Sequence, residues 1–201
     1  MLLFMGVLGI AAPAQAATFA VTTTADSGAG SLREAIDLAN SSPGADVITF
    51  DIPGAGPHTI SPLSPLPPVI DPVTIDGTSE PDYAGTPVVE LDGSGAGIGA
   101  IGLHLRVGSD GSTVDSLVIN RFSMYGVVLE GADSTLRGSR IGTDITGAAD
   151  AGNGSIGVYI RGGATNAVVG GTGPGDGNTI SGNDGTGIFV EAPGAMVHGN
   201  L

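Results

Sequence analysis

The sequence predicts an all-β fold: a parallel β-helix, in which short strands stack coil upon coil, with one short helix at its N-terminal end. Three observations carry this. The 201 residues include 36 Gly and 13 Pro, and an interior Gly costs a helix about 1 kcal/mol relative to Ala. Hydrophobic residues make up 41% and aromatics only 4%, many of them Val and Ile, which argues for a packed aliphatic core rather than disorder. The third is an internal repeat. Segments of the form Gly-apolar-x-apolar begin at Gly102, Gly126, Gly157 and Gly187, spaced 24, 31 and 30 residues apart. Periods of this size mark solenoids.

The elements follow in chain order. Residues 1–16 read as a secretory leader: an apolar run from Leu2 to Ala12, then Pro13 and the small-residue site Ala14-Gln15-Ala16, with cleavage expected after Ala16 or Ala17. The run is too short to span a membrane, so no membrane span is expected. Residues 17–56 are expected to form a cap. Within it, Ser31–Asn40 is the one convincing helix, with Ser31 and Glu34 as a capping box and Leu32, Ala35, Ile36 and Ala39 on one face. Strands are expected on either side, over 19–23 and 46–50. Residues 57–100 read as irregular first coils. Val73–Asp76 and Val88–Leu91 look like imperfect strands, and Pro62–Pro72 like an extended, exposed connection.

Residues 101–201 read as regular coils. Each Gly segment is followed by a second apolar segment (Thr113–Leu117, Thr135–Gly138, Val168–Gly171, Met196–Gly199). Three of them have a third, at Val118-Ile119, Arg140-Ile141 and Thr179-Ile180. Strands of four or five residues alternate inward aliphatic with outward polar side chains and pair in parallel about 4.8 Å along the axis. Gly and Asn are then expected at the corners, where backbone turns tightly or left-handed. Insertions at 142–155 and 170–177 lengthen two coils and are expected on one side of the solenoid. The sequence stops inside a repeat, so the remainder of a longer polypeptide is expected beyond residue 201.

These residues resemble a known family. Thr22–Asp26 followed by Gly30-Ser31-Leu32-Arg33-Glu34-Ala35-Ile36 is similar to the CSLREA-type N-terminal domain of secreted bacterial proteins, with Gly30 where that family has Cys. Ile141–Asp144, Gly152–Gly154 and Gly170–Asn183 resemble the right-handed parallel β-helix repeats that follow it. The resemblance implies a pectin-lyase-like solenoid, secreted or at the bacterial cell surface. It transfers no catalytic residue.

The charge pattern excludes several chemistries. The six basic residues are all Arg, against 20 acidic ones, for a net charge of −14. Such a surface repels nucleic acid. With no Cys and no Lys, thiolate metal sites, disulfides and lysine chemistry are absent. Three functional classes remain. The first is a non-enzymatic exported module at a cell surface, acting as an adhesin, a stalk or a binder of a neutral polysaccharide or cell-surface glycan. The second is a polysaccharide lyase or hydrolase. A lyase base would have to be an arginine, with Arg121, Arg137, Arg140 and Arg161 as the candidates, although arginine is a poor base. A hydrolase needs paired carboxylates, and no local Asp pair is visible. Outward Arg side chains paired with acidic neighbours one coil away are the simpler reading of those residues. The third is a calcium-stabilised scaffold using Asp144, Asp150 and Asn153 with Asp176 and Asn178, since calcium takes oxygen ligands; turn geometry explains the same residues. His58, His104 and His198 show no metal-ligand spacing and read as surface or turn residues. The first class, with no resident cofactor, is the reading the sequence favours.

Overall fold

The computed structural model describes residues 15–201, so the expected leader lies outside the described residues except for Gln15 and Ala16. The first elements are β1 (Thr18–Val21), α1 (Leu32–Ser41) and β2 (Asp46–Phe50). The helix starts where the capping chemistry places it. Ser31 is extended, its hydroxyl accepts the Glu34 N–H at 3.2 Å, and the Glu34 carboxylate accepts the Gly30 N–H at 2.7 Å. Leu32, Ala35, Ile36 and Ala39 are buried against β1 and β2. An isolated ten-residue helix is marginal in water; here this stripe covers the end of the core.

The coils then repeat three short strands. After β2 come β3 (His58–Ile60), β4 (Val73–Asp76), β5 (Val89–Asp92) and β6 (Ile101–Leu105). Next are β7 (Thr113–Asp115), β8 (Val118–Asn120), β9 (Tyr125–Leu129), β10 (Thr135–Arg137), β11 (Arg140–Ile141) and β12 (Val158–Ile160). The last are β13 (Val168–Gly170), β14 (Thr179–Ile180), β15 (Ile188–Val190) and β16 (Met196–His198). They stack into three parallel sheets. Sheet A is β1-β2-β4-β7-β10-β13-β16, sheet B is β3-β5-β8-β11-β14 and sheet C is β6-β9-β12-β15. The protein is a parallel β-helix.

Register makes the core a set of aliphatic ladders. Ile48, Ile75, Val114, Leu136 and Val169 stack in sheet A. Ile60, Leu91, Ile119 and Ile141 stack in sheet B, and Leu105, Leu129 and Ile160 in sheet C. All twelve are essentially inaccessible to solvent, and burying each such side chain contributes about 1.5–3 kcal/mol.

The corners carry asparagine ladders. Asn153 donates its amide to the Ile119 carbonyl (3.2 Å) and to Asn183 Oδ1 (2.9 Å), while its Oδ1 accepts the Phe122 N–H (3.1 Å). One corner away, Asn178 donates to the Leu136 carbonyl (3.0 Å) and to Asn200 Oδ1 (2.9 Å) and accepts the Ser139 N–H (2.9 Å). The Phe122 and Ser139 N–H groups at the turns are satisfied this way, and the Ile119 carbonyl, which also accepts the Gly142 N–H at 3.0 Å, gains a second donor.

Three expectations need correction. Gly102, Gly126 and Gly157 do not serve left-handed corners. They begin or enter the sheet C strands, where a Cβ at Gly126 would lie 2.6 Å from the Gly157 carbonyl oxygen, so close coil stacking selects them. Other glycines, such as Gly170 at φ +96°, do occupy the left-handed region. The two insertions leave different corners, because residues 142–155 follow sheet B and 170–177 follow sheet A. Finally, the Pro62–Pro72 stretch is more than a connection. Val69 is buried and pairs in parallel with Leu105, giving the first coil its contact with sheet C.

Candidate functional site

The outer face of sheet C gathers the chemistry. Strand alternation turns Leu103, Leu105, Val127, Leu129, Val158 and Ile160 inward, so the residue between each pair points out. Those outward positions are His104, Val128, Tyr159 and, in β15, Phe189, aligned by register. The Tyr159 ring meets Phe189 edge-on at 5.3 Å and Tyr125 at 5.6 Å. The result is an aromatic row running along the helix axis. Such edge-to-face pairs reinforce one another.

A second column runs beside it. Arg106, Glu130, Arg161 and Glu191 each follow the last residue of a sheet C strand, so their charges alternate along the axis. Arg161 Nη1 lies 2.6 Å from Glu130 Oε1, with its guanidinium carbon 5.0 Å from the Tyr159 ring centroid. His104 Nε2 is 3.2 Å from the same Glu130 oxygen, and Arg106 Nε is 4.0 Å from its other one. Burial lowers the His104 pKa, against the opposing pull of Glu130. Burial also pushes Glu130 upward, but His104 and Arg161 outweigh it and hold the carboxyl below its ordinary value. The Glu191 carboxylate raises the Tyr159 phenol. The His104, Arg106, Glu130 and Arg161 side chains face Pro65, Leu66 and Pro68 across an open cleft of about 270 Å³. Arg33 braces that wall. Its Nη1 donates to the Pro65 carbonyl at 2.8 Å, while Nη2 holds Asp26 at 2.8 Å and, through that hydrogen bond, lowers the Asp26 pKa.

The residues singled out in the sequence are scattered around the solenoid. Arg121, at φ +56°, reaches Glu90 (3.3 Å) and Asp92 (3.4 Å) beside sheet B. Arg137 pairs with Asp115 at 2.7 Å on sheet A, and that hydrogen bond raises its already high pKa. Arg140 Nη1 donates to the Ile145 carbonyl within its own insertion. Of these four arginines, only Arg161 belongs to the sheet C face. Among the oxygen-bearing candidates, Asp144 accepts from Thr146, Ala148 and Ala149, Asp150 from Gly152, and Asp176 from Gly173. Each of the three thus closes its own turn. Asn153 and Asn178 are consumed by the ladders.

Stacking also creates groupings that no local motif announces. Asp76 and Asp115 occupy neighbouring rungs of sheet A, a pair made by stacking rather than by any local motif. Both are engaged: Asp76 Oδ1 accepts from Thr78, while Asp115 accepts from Ser116 and Arg137. His58, Glu80 and Asp82 bring one ligand atom each within 4.8 Å of one another, an arrangement able to hold a cation. His58 is buried rather than at the surface. The aromatic row had a sequence signal. Tyr159 and Phe189 stand at the same place in their Gly segments, two residues after Gly157 and Gly187.

No protein-family model and no curated protein matches the chain. Among the described residues, no helix is long and apolar enough to cross a membrane.

Proposed function

We propose that this chain is an exported β-helix module, secreted or held at a bacterial cell surface, that engages a neutral polysaccharide along the outer face of sheet C without chemically altering it. The observation that carries this reading is the row Tyr125–Tyr159–Phe189 beside the alternating Arg106–Glu130–Arg161–Glu191 column. Aromatic faces offer a platform for the apolar faces of sugar rings, and flanking charged groups supply donors and acceptors for hydroxyls. A repeating face on a solenoid suits a repeating ligand. The net charge of −14 disfavours polyuronates, which it repels. The leader-like residues 1–16 and the resemblance of residues 22–36 to the CSLREA-type domain support export.

The enzymatic alternative, a pectin-lyase-like lyase or hydrolase, gains little from the geometry. Arg137 and Arg161 are engaged as cations in ion pairs, the opposite of what a general base requires.

The test is binding to a panel of neutral glycans and polyuronates by affinity electrophoresis. Retardation by a neutral glycan is expected, weakened about tenfold or more in Tyr159→Ala, as for removal of an aromatic anchor. Unsaturated product released from a polyuronate, or binding indifferent to Tyr159→Ala, would overturn the reading.

A further inference from the structure

Asp46, the first residue of β2, is 1% exposed. Its Oδ1 accepts the Ala17 backbone N–H at 2.7 Å and the Ser42 hydroxyl at 3.4 Å. Its Oδ2 is buried and makes no hydrogen bond. Among the described residues, neither Arg nor His forms an ion pair with it. A buried carboxylate lacking a counter-charge is strongly unfavourable, so the environment of Asp46 is one cation short.

The nitrogen that faces it belongs to a particular residue. Ala17 is the first residue after Ala14-Gln15-Ala16, the small-residue pattern at which leaders are cut. Ala17 is also fixed in place. Its carbonyl accepts the Val47 N–H at 2.9 Å, and Thr18 begins the parallel pairing of β1 with β2.

We propose that leader removal between Ala16 and Ala17 supplies the missing counter-charge: the new α-ammonium of Ala17 is the ionic partner of Asp46 in the mature protein. The inference rests on the export reading. Hydrolysis breaks the Ala16 carbonyl carbon–Ala17 nitrogen bond. Water adds hydroxyl to the Ala16 carbonyl and a proton to the nitrogen, and the resulting acid passes its proton to the amine, giving a leader carboxylate and an ammonium. One N–H donor becomes three, so Oδ1 keeps its bond while the carboxylate gains a positive charge and two further donors beside it. The same geometry selects between the two cleavage positions the sequence allows, because a cut after Ala17 removes this nitrogen.

The chain contains no Lys, so an amine-selective acetylating reagent modifies only the terminus, removing its charge. The first experiment exports the full 201-residue chain from a bacterial host and reads the mature N-terminus by intact mass. A start at Ala17 is expected, and a start at Thr18 overturns the proposal. A retained leader overturns the export reading on which it rests. The second experiment does not depend on export. A chain beginning at Ala17, released from a cleavable tag, is unfolded in urea with and without acetylation, as wild type and as Asp46→Asn. Acetylation is expected to lower the unfolding equilibrium constant's bias toward the native state about tenfold or more in wild type and to do little in Asp46→Asn. Equal effects in the two chains contradict the pairing. The wild-type chain alone gives a further readout: its terminus should acetylate about tenfold or more slowly when folded than in denaturant, because the ion pair holds the amine protonated. Equal rates contradict the pairing.

Discussion

Truncating Asn153 to alanine tests the asparagine ladders most severely. Its side chain is inaccessible to solvent and serves three partners: the Phe122 N–H at 3.1 Å, the Ile119 carbonyl at 3.2 Å and Asn183 Oδ1 at 2.9 Å. Asn183 Oδ1 still accepts the Asn153 backbone N–H at 3.2 Å, and the Ile119 carbonyl still accepts the Gly142 N–H at 3.0 Å, so the main loss falls on the Phe122 N–H. An orphaned buried donor costs about 1–3 kcal/mol, so Asn153→Ala is expected to destabilise by about 1–3 kcal/mol. With a urea m-value of about 2 kcal/mol/M, the midpoint falls by about 0.5–1.5 M. Asn153→Asp sharpens the test: a carboxylate still accepts from Phe122 but faces the Ile119 carbonyl and Asn183 Oδ1 with no donor. It should therefore be at least as damaging as alanine despite its near-identical shape. Urea unfolding followed by far-UV circular dichroism, with amide exchange at Phe122, reads both. A shift under about 0.5 kcal/mol for Asn153→Ala, typical of surface positions, or an aspartate variant equal to wild type, would refute the ladder argument.

Gly126→Ala places a Cβ 2.6 Å from the Gly157 carbonyl oxygen and 2.7 Å from Ile141 Cγ2. It should cost about 1–3 kcal/mol and lower the thermal midpoint by about 2–4 °C per kcal/mol, measurable by calorimetry. Acid should destabilise the protein in two steps. The folded His104 pKa lies below its ordinary 6.5, so its stabilisation is present above that value and fades as pH falls through it toward the folded value. Glu130, held below 4.5, keeps its contribution above that value and loses it as pH falls through its own lowered pKa. His104→Gln should flatten the first slope in a thermal scan against pH. Arg33→Ala releases the Pro65 and Ser64 carbonyls as well as Asp26, so limited proteolysis across 61–68 should accelerate.

The architecture was legible because a solenoid writes its period into the chain. Outward and inward positions could be read within each strand, and the Ser31–Glu34 capping chemistry located the helix to within one residue. What lay beyond reach depended on register between coils separated by long, uneven intervals. The stacking of Asp76 on Asp115, or of Glu130 against both Arg161 and His104, exists only once the coils are aligned. The insertions at 142–155 and 170–177 disguise that alignment. For the same reason Asn153 and Asn178 read as loop oxygens, although they are buried corner struts. Val69 was hidden among prolines because a single bridged residue leaves no periodic trace.

On the proposed function, a neutral polysaccharide binds one of the three sheets, sheet C. Hydrogen exchange of the exported chain, with and without a neutral polysaccharide that retards it, tests this directly. The ligand should slow exchange in and beside 125–130, 158–161 and 188–191, leave the outer faces of sheets A and B unchanged, and lose its effect in Tyr159→Ala. Protection confined to sheet A or B, or unaffected by Tyr159→Ala, would contradict the assignment.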